Sequence, residues 1–235
     1  MSIQKISLLI FVSLVTMQAQ ANTYISSGVY YLNGQNNLTD QNPVTSWSVP
    51  FSISTYQDAW QYSISTSWNR MTTEQNQVSQ TVNGLGDTYL RLGYEWIQYP
   101  SITGALIYKL ATGDSNKGLS TGKDDLGLQV QLFQPIKQSS SVFGHLGYSF
   151  NGKVSGSDIQ NTGSASIGLG HQLSSNLLLA ASTSYQQSQY QSLDDQVSVE
   201  ASLSVLLSPL ISFGVFAGYD NTETTTLGLS ISRKL

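Results

Sequence analysis

Few residues in this sequence could carry out acid–base or nucleophilic chemistry. The 235 residues include two histidines, His145 and His171, and no cysteine. Ser174 follows His171 in the stretch HQLSSN, but residues three apart on a strand point to opposite faces, which is a poor arrangement for a base and its nucleophile. The sequence contains no Ser-His-acid arrangement and no HExxH metal spacing. We therefore expect no catalytic residues, no metal and no cofactor.

A second group of chemically distinctive residues consists of charges on otherwise polar strand faces. Arg91 and Glu95 share one face of the segment 87–98, and Lys109 lies on the polar face of the next segment. If the turn between these segments centres near Pro100, the two cations fall about opposite each other. Because neighbouring like charges repel, carboxylates should compensate them. We predict that Glu95 and Glu200 do so.

The elements that must position these residues are strands of about ten residues with alternating polarity. No helical period is present, and the alternation has the length expected for membrane-spanning strands. The predicted fold class is an all-β, antiparallel, up-and-down transmembrane barrel of about twelve strands, formed by residues 22–235. The predicted strands are 24–32, 46–56, 60–70, 87–98, 102–112, 125–135, 141–151, 163–173, 176–187, 195–207, 210–219 and 224–235.

The links between these strands alternate between long and short. NGQNNLTDQNPVT is followed by the short QDA, and TEQNQVSQTVNGLG by the short YPS. The alternation continues up to a brief last link, DNTE. Outer-membrane barrels have tight periplasmic turns and longer extracellular loops, so the pattern predicts both the barrel and its orientation.

The composition agrees with a barrel whose polar face points inward. Only 10% of the residues are charged and the net charge is -4, whereas soluble domains carry about 25% charged residues. The polar faces hold mainly Ser, Gly and Gln, as on 197–205, where Ser198, Glu200, Ser202 and Ser204 alternate with apolar residues. A lipid-facing exterior explains the shortage of charge. The ten Lys and Arg residues also argue against nucleic acid as a partner.

The N-terminal segment has the organisation of a secretory signal peptide. Lys5 precedes the apolar run Ile6–Val15, and Ala19-Gln20-Ala21 forms an A-x-A site. The apolar run is shorter than the roughly 20 residues of a spanning helix. We predict export through the Sec pathway and cleavage after Ala21, followed by insertion into the bacterial outer membrane.

Aromatic residues recur near the ends of the predicted strands. Trp60 and Trp68 lie eight positions apart, or about 26 Å along a strand at ~3.3 Å per residue. With a tilt of about 40° this covers roughly 20 Å of the membrane normal, close to the ~25 Å apolar band of such barrels. The alternative is core packing in a soluble sandwich. The predicted aromatic girdle comprises Trp47, Trp60, Trp68, Tyr94, Trp96, Tyr108, Tyr148, Phe150, Tyr185 and Tyr219.

Four stretches in the middle of the chain resemble a known family. They are GLGDTYLRLGYEW (84–96), ALIYKLATGD (105–114), KDDLGLQVQLFQPI (123–136) and GHLGYSFNGK (144–153). Their order and spacing resemble the outer-membrane barrels of the MetA type from the meta pathway of phenol degradation. Ala111 stands where that family often has proline. The resemblance implies an outer-membrane barrel for the uptake of aromatic or other hydrophobic compounds, and it brings no catalytic residues.

Three functions follow from these observations as alternatives. The favoured one is a non-enzymatic channel for the passive passage of small solutes, aromatic or hydrophobic ones among them. Arg91, Glu95, Lys109, Glu200 and His145 would then line its lumen as a polar constriction. The second is a structural or surface-interaction barrel whose lumen is plugged by an ion-pair network. The third is an outer-membrane lipid-modifying enzyme. Expected partners are outer-membrane lipid, lipopolysaccharide, the barrel-assembly machinery and a small solute.

Overall fold

The structure, a computed structural model, describes residues 22–35, 42–75 and 78–235. In these residues the chain forms thirteen strands and no helix, and none of them belongs to a helix long and apolar enough to cross a membrane. The predicted signal peptide, residues 1–21, lies outside the described residues. The strands are β1 (Asn22–Gln35), β2 (Pro43–Gln57), β3 (Trp60–Gln75), β4 (Val78–Leu85), β5 (Thr88–Gln98), β6 (Ser101–Leu110), β7 (Asp125–Lys137), β8 (Ser140–Phe150), β9 (Thr162–Ser174), β10 (Leu177–Gln186), β11 (Gln196–Ser208), β12 (Ile211–Asp220) and β13 (Thr225–Lys234).

Twelve of these strands close into an antiparallel barrel, as predicted. Sequence neighbours pair around the barrel, and β1 pairs with β13 from Tyr24↔Lys234 to Asn33↔Thr225. The pairing of β2 with β3 completes the ring. Closure of the barrel gives every strand a hydrogen-bonding neighbour on both sides. A sheet surrounded by hydrocarbon requires such neighbours, because each unpaired backbone amide in hydrocarbon costs several kcal/mol.

The additional strand, β4, lies in a segment predicted to be a loop. It pairs with one half of β3, from Trp68↔Leu85 to Gln75↔Val78, whereas β5 pairs with the other half. β4 and β5 therefore share one position around the barrel, separated by residues 86–87. Half of β4 consists of Ser, Gln, Thr and Asn, and its apolar residues Val78, Val82 and Leu85 do not alternate with polar ones. Alternating apolarity is a requirement only where one face meets lipid, so the periodicity that identified the other strands was absent here.

The two ends of the barrel differ in the length of their connections. One end, the turn end, has two-residue turns at 58–59, 99–100, 138–139, 175–176 and 209–210. The other, the loop end, carries longer links, including 111–124, 151–161 and 187–195. The predicted alternation of short and long links is confirmed.

The distribution of polarity is reversed relative to a soluble sheet. Among the described residues, only Val44, Ala105, Ile159 and Phe216 are buried hydrophobic residues, whereas thirteen buried residues are polar or charged. On β3 the exposed face carries Trp60, which is 41% exposed, together with other large apolar residues. A polar interior and an apolar exterior suit a barrel surrounded by lipid.

Candidate functional site

The five predicted lumen residues lie on the inner face of the barrel but do not form one cluster. Arg91 and Glu95 are on β5, Lys109 on β6, His145 on β8 and Glu200 on β11. They come from four strands, and no two of them are partners in the strand register. Each therefore has its own set of neighbours.

Arg91 is held by neutral amides. Its Nη1 donates to Gln61 Oε1 at 2.9 Å, and its Nη2 donates to Gln131 Oε1 at 2.7 Å. Gln131 in turn donates to Gln129 Oε1 at 3.0 Å. Arg91 Nε is buried and has no hydrogen-bond partner among the described residues. The result is a positive charge fixed on the lumen wall, with which no carboxylate of the described chain forms an ion pair.

Lys109 belongs to a separate, buried ion cluster nearer the loop end. Its Nζ lies 2.5 Å from Asp125 Oδ2 and 3.7 Å from Asp87 Oδ2. It also donates to Thr121 Oγ1, at 3.0 Å, in the loop 111–124. Asp125 and Asp87 accept further bonds from the amides of two loop glycines. The cluster therefore fastens loops to the barrel wall.

The predicted partners of the two cations were wrong. Lys109 faces Tyr89 across β5 and β6 rather than Arg91, and Asp125 is directly opposite Lys109 on β7, so the nearest carboxylate is local. Glu95 accepts a short hydrogen bond from Ser101 beside the turn. Glu200 lies on a distant strand, and within the described chain it forms no ion pair with either cation.

The two histidines each contact a serine from the neighbouring strand. His145 Nδ1 lies 2.6 Å from Ser166 Oγ inside the barrel. His171 Nδ1 lies 3.0 Å from Ser140 Oγ in an exposed position at the turn end. Neither histidine is hydrogen-bonded to a carboxylate in the described residues. Ser174, whose spacing from His171 was judged unsuitable, is not the partner of His171.

Two aromatic residues of the lumen were not anticipated. Phe216 is 5% exposed and its ring lies over Gly228, where an added Cβ would come within 2.1 Å of the ring. The Tyr30 ring packs edge-on against Phe216, with centroids 4.9 Å apart. A signal existed in the sequence, because Phe216 interrupts a face of β12 otherwise made of Ser212, Gly214, Gly218 and Asp220.

The loops 151–161 and 187–195, here called the paired loops, bind each other at the loop end. Ile159 and Tyr190 form an isolated antiparallel bridge, and the Gln160 amide donates to the Gln189 carbonyl at 2.8 Å. Ile159 is 3% exposed and Gln189 is 2% exposed. Within the described ranges, both side-chain amide atoms of Gln189 lack a hydrogen-bond partner. The paired loops thus contain a small buried core of their own.

One aspartate links the paired loops from the outside. Asp158 Oδ2 accepts the Ser192 amide at 3.0 Å, and the Asp158 carbonyl accepts the Gln191 amide at 3.3 Å. The hydrogen bond with Ser192 lowers the pKa of the Asp158 carboxyl below its ordinary value. The ionised form of Asp158 is therefore the form that holds the loops together.

The family described as "Putative MetA-pathway of phenol degradation" matches residues 17–234. The chain belongs to this family. The match extends well beyond the four stretches in which the resemblance is visible by eye, and it covers all the described strands. No curated protein matches the chain by sequence.

Several solved structures are similar in shape despite low sequence identity. An outer membrane channel from Pseudomonas putida F1 has a TM-score of 0.73 at 12% identity, over 91% of this chain and 96% of that one. KdgM porin in complex with disordered oligogalacturonate has a TM-score of 0.60 at 10% identity, over 90% and 99%. The CymD monoaromatic hydrocarbon channel has a TM-score of 0.51 at 11% identity, over 93% and 89%. The likeness establishes that this member of the family has the fold of outer-membrane barrels. In such barrels the end with the tight turns is periplasmic and the end with the long loops is extracellular.

The predicted girdle residues all lie exposed on the outer face of this family member. At the periplasmic end, the rings of Trp60 and Tyr94 pack edge-on with centroids 4.8 Å apart. Near the extracellular end, Tyr108 donates to Asp124 Oδ2 at 2.7 Å, and this bond lowers the pKa of the Asp124 carboxyl. The exposed positions are Trp47, Trp60, Trp68, Tyr94, Trp96, Tyr108, Tyr148, Phe150, Tyr185 and Tyr219.

Proposed function

We propose that the protein is a passive outer-membrane channel for small solutes. The observation that carries this proposal is the uncompensated Arg91 in an inner wall of serine, glycine and glutamine. A barrel that needed only a packed interior would gain more from apolar residues or complete ion pairs, because buried polar groups without partners are costly. Charged side chains on the wall of a pore are groups that select solutes in channels.

The proposed solutes are small and include aromatic or hydrophobic compounds. The family description refers to phenol degradation, and one similar structure is a monoaromatic hydrocarbon channel. Phe216 and Tyr30 supply an aromatic surface inside the lumen. Arg91, Glu95, Lys109, Glu200 and His145 are the proposed lining of the path, and the protein itself carries out no catalysis.

The remaining parts of the proposal concern export and assembly. The signal peptide is cleaved after Ala21 following Sec export, and the barrel-assembly machinery inserts residues 22–235. The aromatic girdle contacts outer-membrane lipid and lipopolysaccharide at the two interfaces. Support comes from the charged start, apolar run and A-x-A site of the segment, and from the exposed outer aromatics.

A second candidate function is a closed barrel that acts through its extracellular surface. The paired loops favour it, because Ile159 and Gln189 are buried at the extracellular end. Such loops would leave little room for solute if they also filled the mouth. This alternative predicts a folded, membrane-inserted protein that passes no solute.

Reconstitution separates these candidates. In planar bilayers and in liposome-swelling assays, a channel gives stepwise conductance and swelling with small aromatic and sugar solutes. A correctly folded protein, verified by its heat-modifiable migration on gels, that gives neither signal would overturn the channel and support the closed barrel. Lipid hydrolysis by the same sample, lost in His171→Ala, would instead reveal a lipid-modifying enzyme.

A further inference from the structure

Arg91 and Glu200 project from opposite walls of the barrel. Arg91 is on β5 and Glu200 is on β11, and five strands separate them in either direction around the ring. One route passes through β6 to β10, and the other through β12, β13, β1, β2 and β3. In a twelve-membered ring this places the two residues on diametrically opposed sides.

The strand register also places them at the same height. Successive paired residues lead from Glu200 through β10 to β6 and arrive at Gln98 of β5. The opposite route arrives at Val82 of β4, which occupies the same position around the ring as β5. Because the strands tilt, the two routes shift in opposite directions along the barrel axis. The residue at the height of Glu200 on this wall is therefore the one halfway between Val82 and Gln98. That residue is Leu90, which precedes Arg91 in the sequence.

Neither charge is neutralised at this level. The Arg91 guanidinium binds neutral Gln61 and Gln131, and its buried Nε has no partner among the described residues. Glu200 Oε2 is buried as well and has no hydrogen-bond partner in the same part of the chain. Lys109 is compensated locally by two aspartates. Among the described residues, Arg91 and Glu200 are thus the opposed pair of charges that this level offers to a solute.

The width of the barrel keeps the two charges from meeting. Twelve strands spaced about 4.8 Å apart and tilted by about 40° form a ring about 24 Å across between opposite backbones. A salt bridge requires an N–O separation within about 4 Å, which extended Arg and Glu side chains do not reach across that gap. The width of the barrel therefore keeps Arg91 and Glu200 apart, and the electric field between them crosses the path of the solute.

We propose that Arg91 and Glu200 make the channel selective for small zwitterionic solutes over uncharged or singly charged solutes of similar size. This inference rests on the proposed channel function. A singly charged solute is attracted by one of the two residues and repelled by the other. A zwitterionic solute aligns with the field, and each of its charged groups is attracted by the residue of opposite charge. The cationic end would lie near Glu200, where Phe216 and Tyr30 add an aromatic surface that attracts cations.

Liposome swelling with a zwitterion and a neutral solute tests the preference. Glycine betaine and erythritol serve as the probes, and their relative rates are compared for wild type, Arg91→Gln and Glu200→Gln. Because a solvent-screened charge contact contributes about 0.2–1 kcal/mol, each substitution should lower the betaine-to-erythritol ratio by roughly 1.4- to 5-fold. Asp194→Asn, which removes an exposed carboxylate from the loop 187–195, should leave the ratio unchanged.

Ion selectivity provides a second, independent readout. In a salt gradient, Glu200→Gln should shift the reversal potential toward anion preference, and Arg91→Gln toward cation preference. The exchanged double variant R91E/E200R restores an opposed pair and should recover the betaine preference of wild type. All variants are first checked for heat-modifiable migration, so that misfolded samples are not scored.

The possible failures are distinguishable. Absence of flux for every solute in folded wild-type protein contradicts the channel itself. Flux that is present, with a betaine-to-erythritol ratio identical in wild type and all variants, leaves the channel standing and overturns the role of Arg91 and Glu200. A ratio that falls in the single variants and is not recovered in R91E/E200R shows that the two residues act separately rather than as an opposed pair.

Discussion

Lys109 is the residue whose loss should destabilise the barrel most sharply. Its ammonium group and the Asp125 carboxylate are 6% and 9% exposed, and Asp87 is equally buried. Lys109→Met would leave two buried carboxylates without their cation, a change that typically costs about 3–5 kcal/mol. Urea unfolding of the protein in lipid vesicles, followed by tryptophan fluorescence, should show this loss in the free energy of unfolding.

A matched lysine in the neighbouring loop serves as the control. Lys117 Nζ lies 3.9 Å from Asp114 Oδ2, and both side chains are about half exposed. Because exposed pairs contribute roughly 0–1 kcal/mol, Lys117→Met should change the free energy of unfolding by less than about 1 kcal/mol. Equal effects of the two substitutions would contradict the structural role of the buried cluster.

At the scale of single residues, the sequence predicted which face a charge occupies but not which charge it meets. The period of two assigned Arg91, Lys109 and Glu200 to polar faces without knowledge of the fold. Partner choice depends on register between strands, and a shift of a few residues exchanges one partner for another. Asp125 was correctly predicted to start a strand, at 125–135, but its place opposite Lys109 could not be read from the sequence.

At the scale of elements, the paired loops are held together at neutral pH by ionised Asp158. Asp158→Ala removes the acceptor of the Ser192 amide. The loops should then separate more often, because the remaining bonds between them are few. We expect trypsin to cleave after Lys153, in the loop 151–161, severalfold faster than in wild type, and single-channel conductance to become larger or noisier.

The control for this prediction lies in the same pair of loops. Asp194 is exposed in the loop 187–195, and Asp194→Ala should leave cleavage after Lys153 unchanged. The lowered pKa of Asp158 means that its contribution is complete above the ordinary value of 3.8 and declines as the pH falls through the lower folded value. Digestion near pH 8 therefore examines the fully ionised carboxylate. If trypsin cleaves Asp158→Ala after Lys153 no faster than wild type, Asp158 does not hold the paired loops together.

The strands show where sequence patterns are informative and where they are not. The twelve barrel strands were recognisable because lipid on one side and water on the other impose alternating polarity. β4 and the extracellular half of β3 lack that constraint, and there the polar segment pairs through backbone bonds and contacts such as Thr72–Thr81 at 2.9 Å. Polar strands that pair outside the membrane do not need alternating apolar residues, so their sequences lack the period-two pattern that predicts a strand.

For the whole molecule, the arrangement of polarity follows from the two solvents of a membrane barrel. Large apolar side chains stay exposed on the outside, while small polar side chains face a lumen. The same sequence in a soluble sheet would have to bury its tryptophans and tyrosines and expose serine and glycine. Neighbouring residues of one strand therefore occupy opposite environments, and this makes the orientation of the whole barrel testable.

Ala201 and Ser202 are adjacent small residues near the middle of β11. Ala201 is exposed on the outer face beside Ala181 and Ala217, and Ser202 points inward beside Phe216. An arginine on the lipid face at mid-membrane costs about 2–4 kcal/mol. Ala201→Arg should therefore lower the free energy of unfolding in lipid vesicles by that amount, as measured by urea titration.

Ser202→Arg should lower the free energy of unfolding much less, because the new guanidinium can extend along the lumen to water and contact the Phe216 ring. The two variants carry the same added charge at nearly the same depth, so the difference between them isolates the direction in which each residue points. In detergent micelles, where water reaches the outer surface more easily, the two variants should differ less in their free energy of unfolding. A larger loss for Ser202→Arg than for Ala201→Arg would mean that the polar face of β11 is not the inner one, and the assignment of Glu200 to the lumen would fall with it.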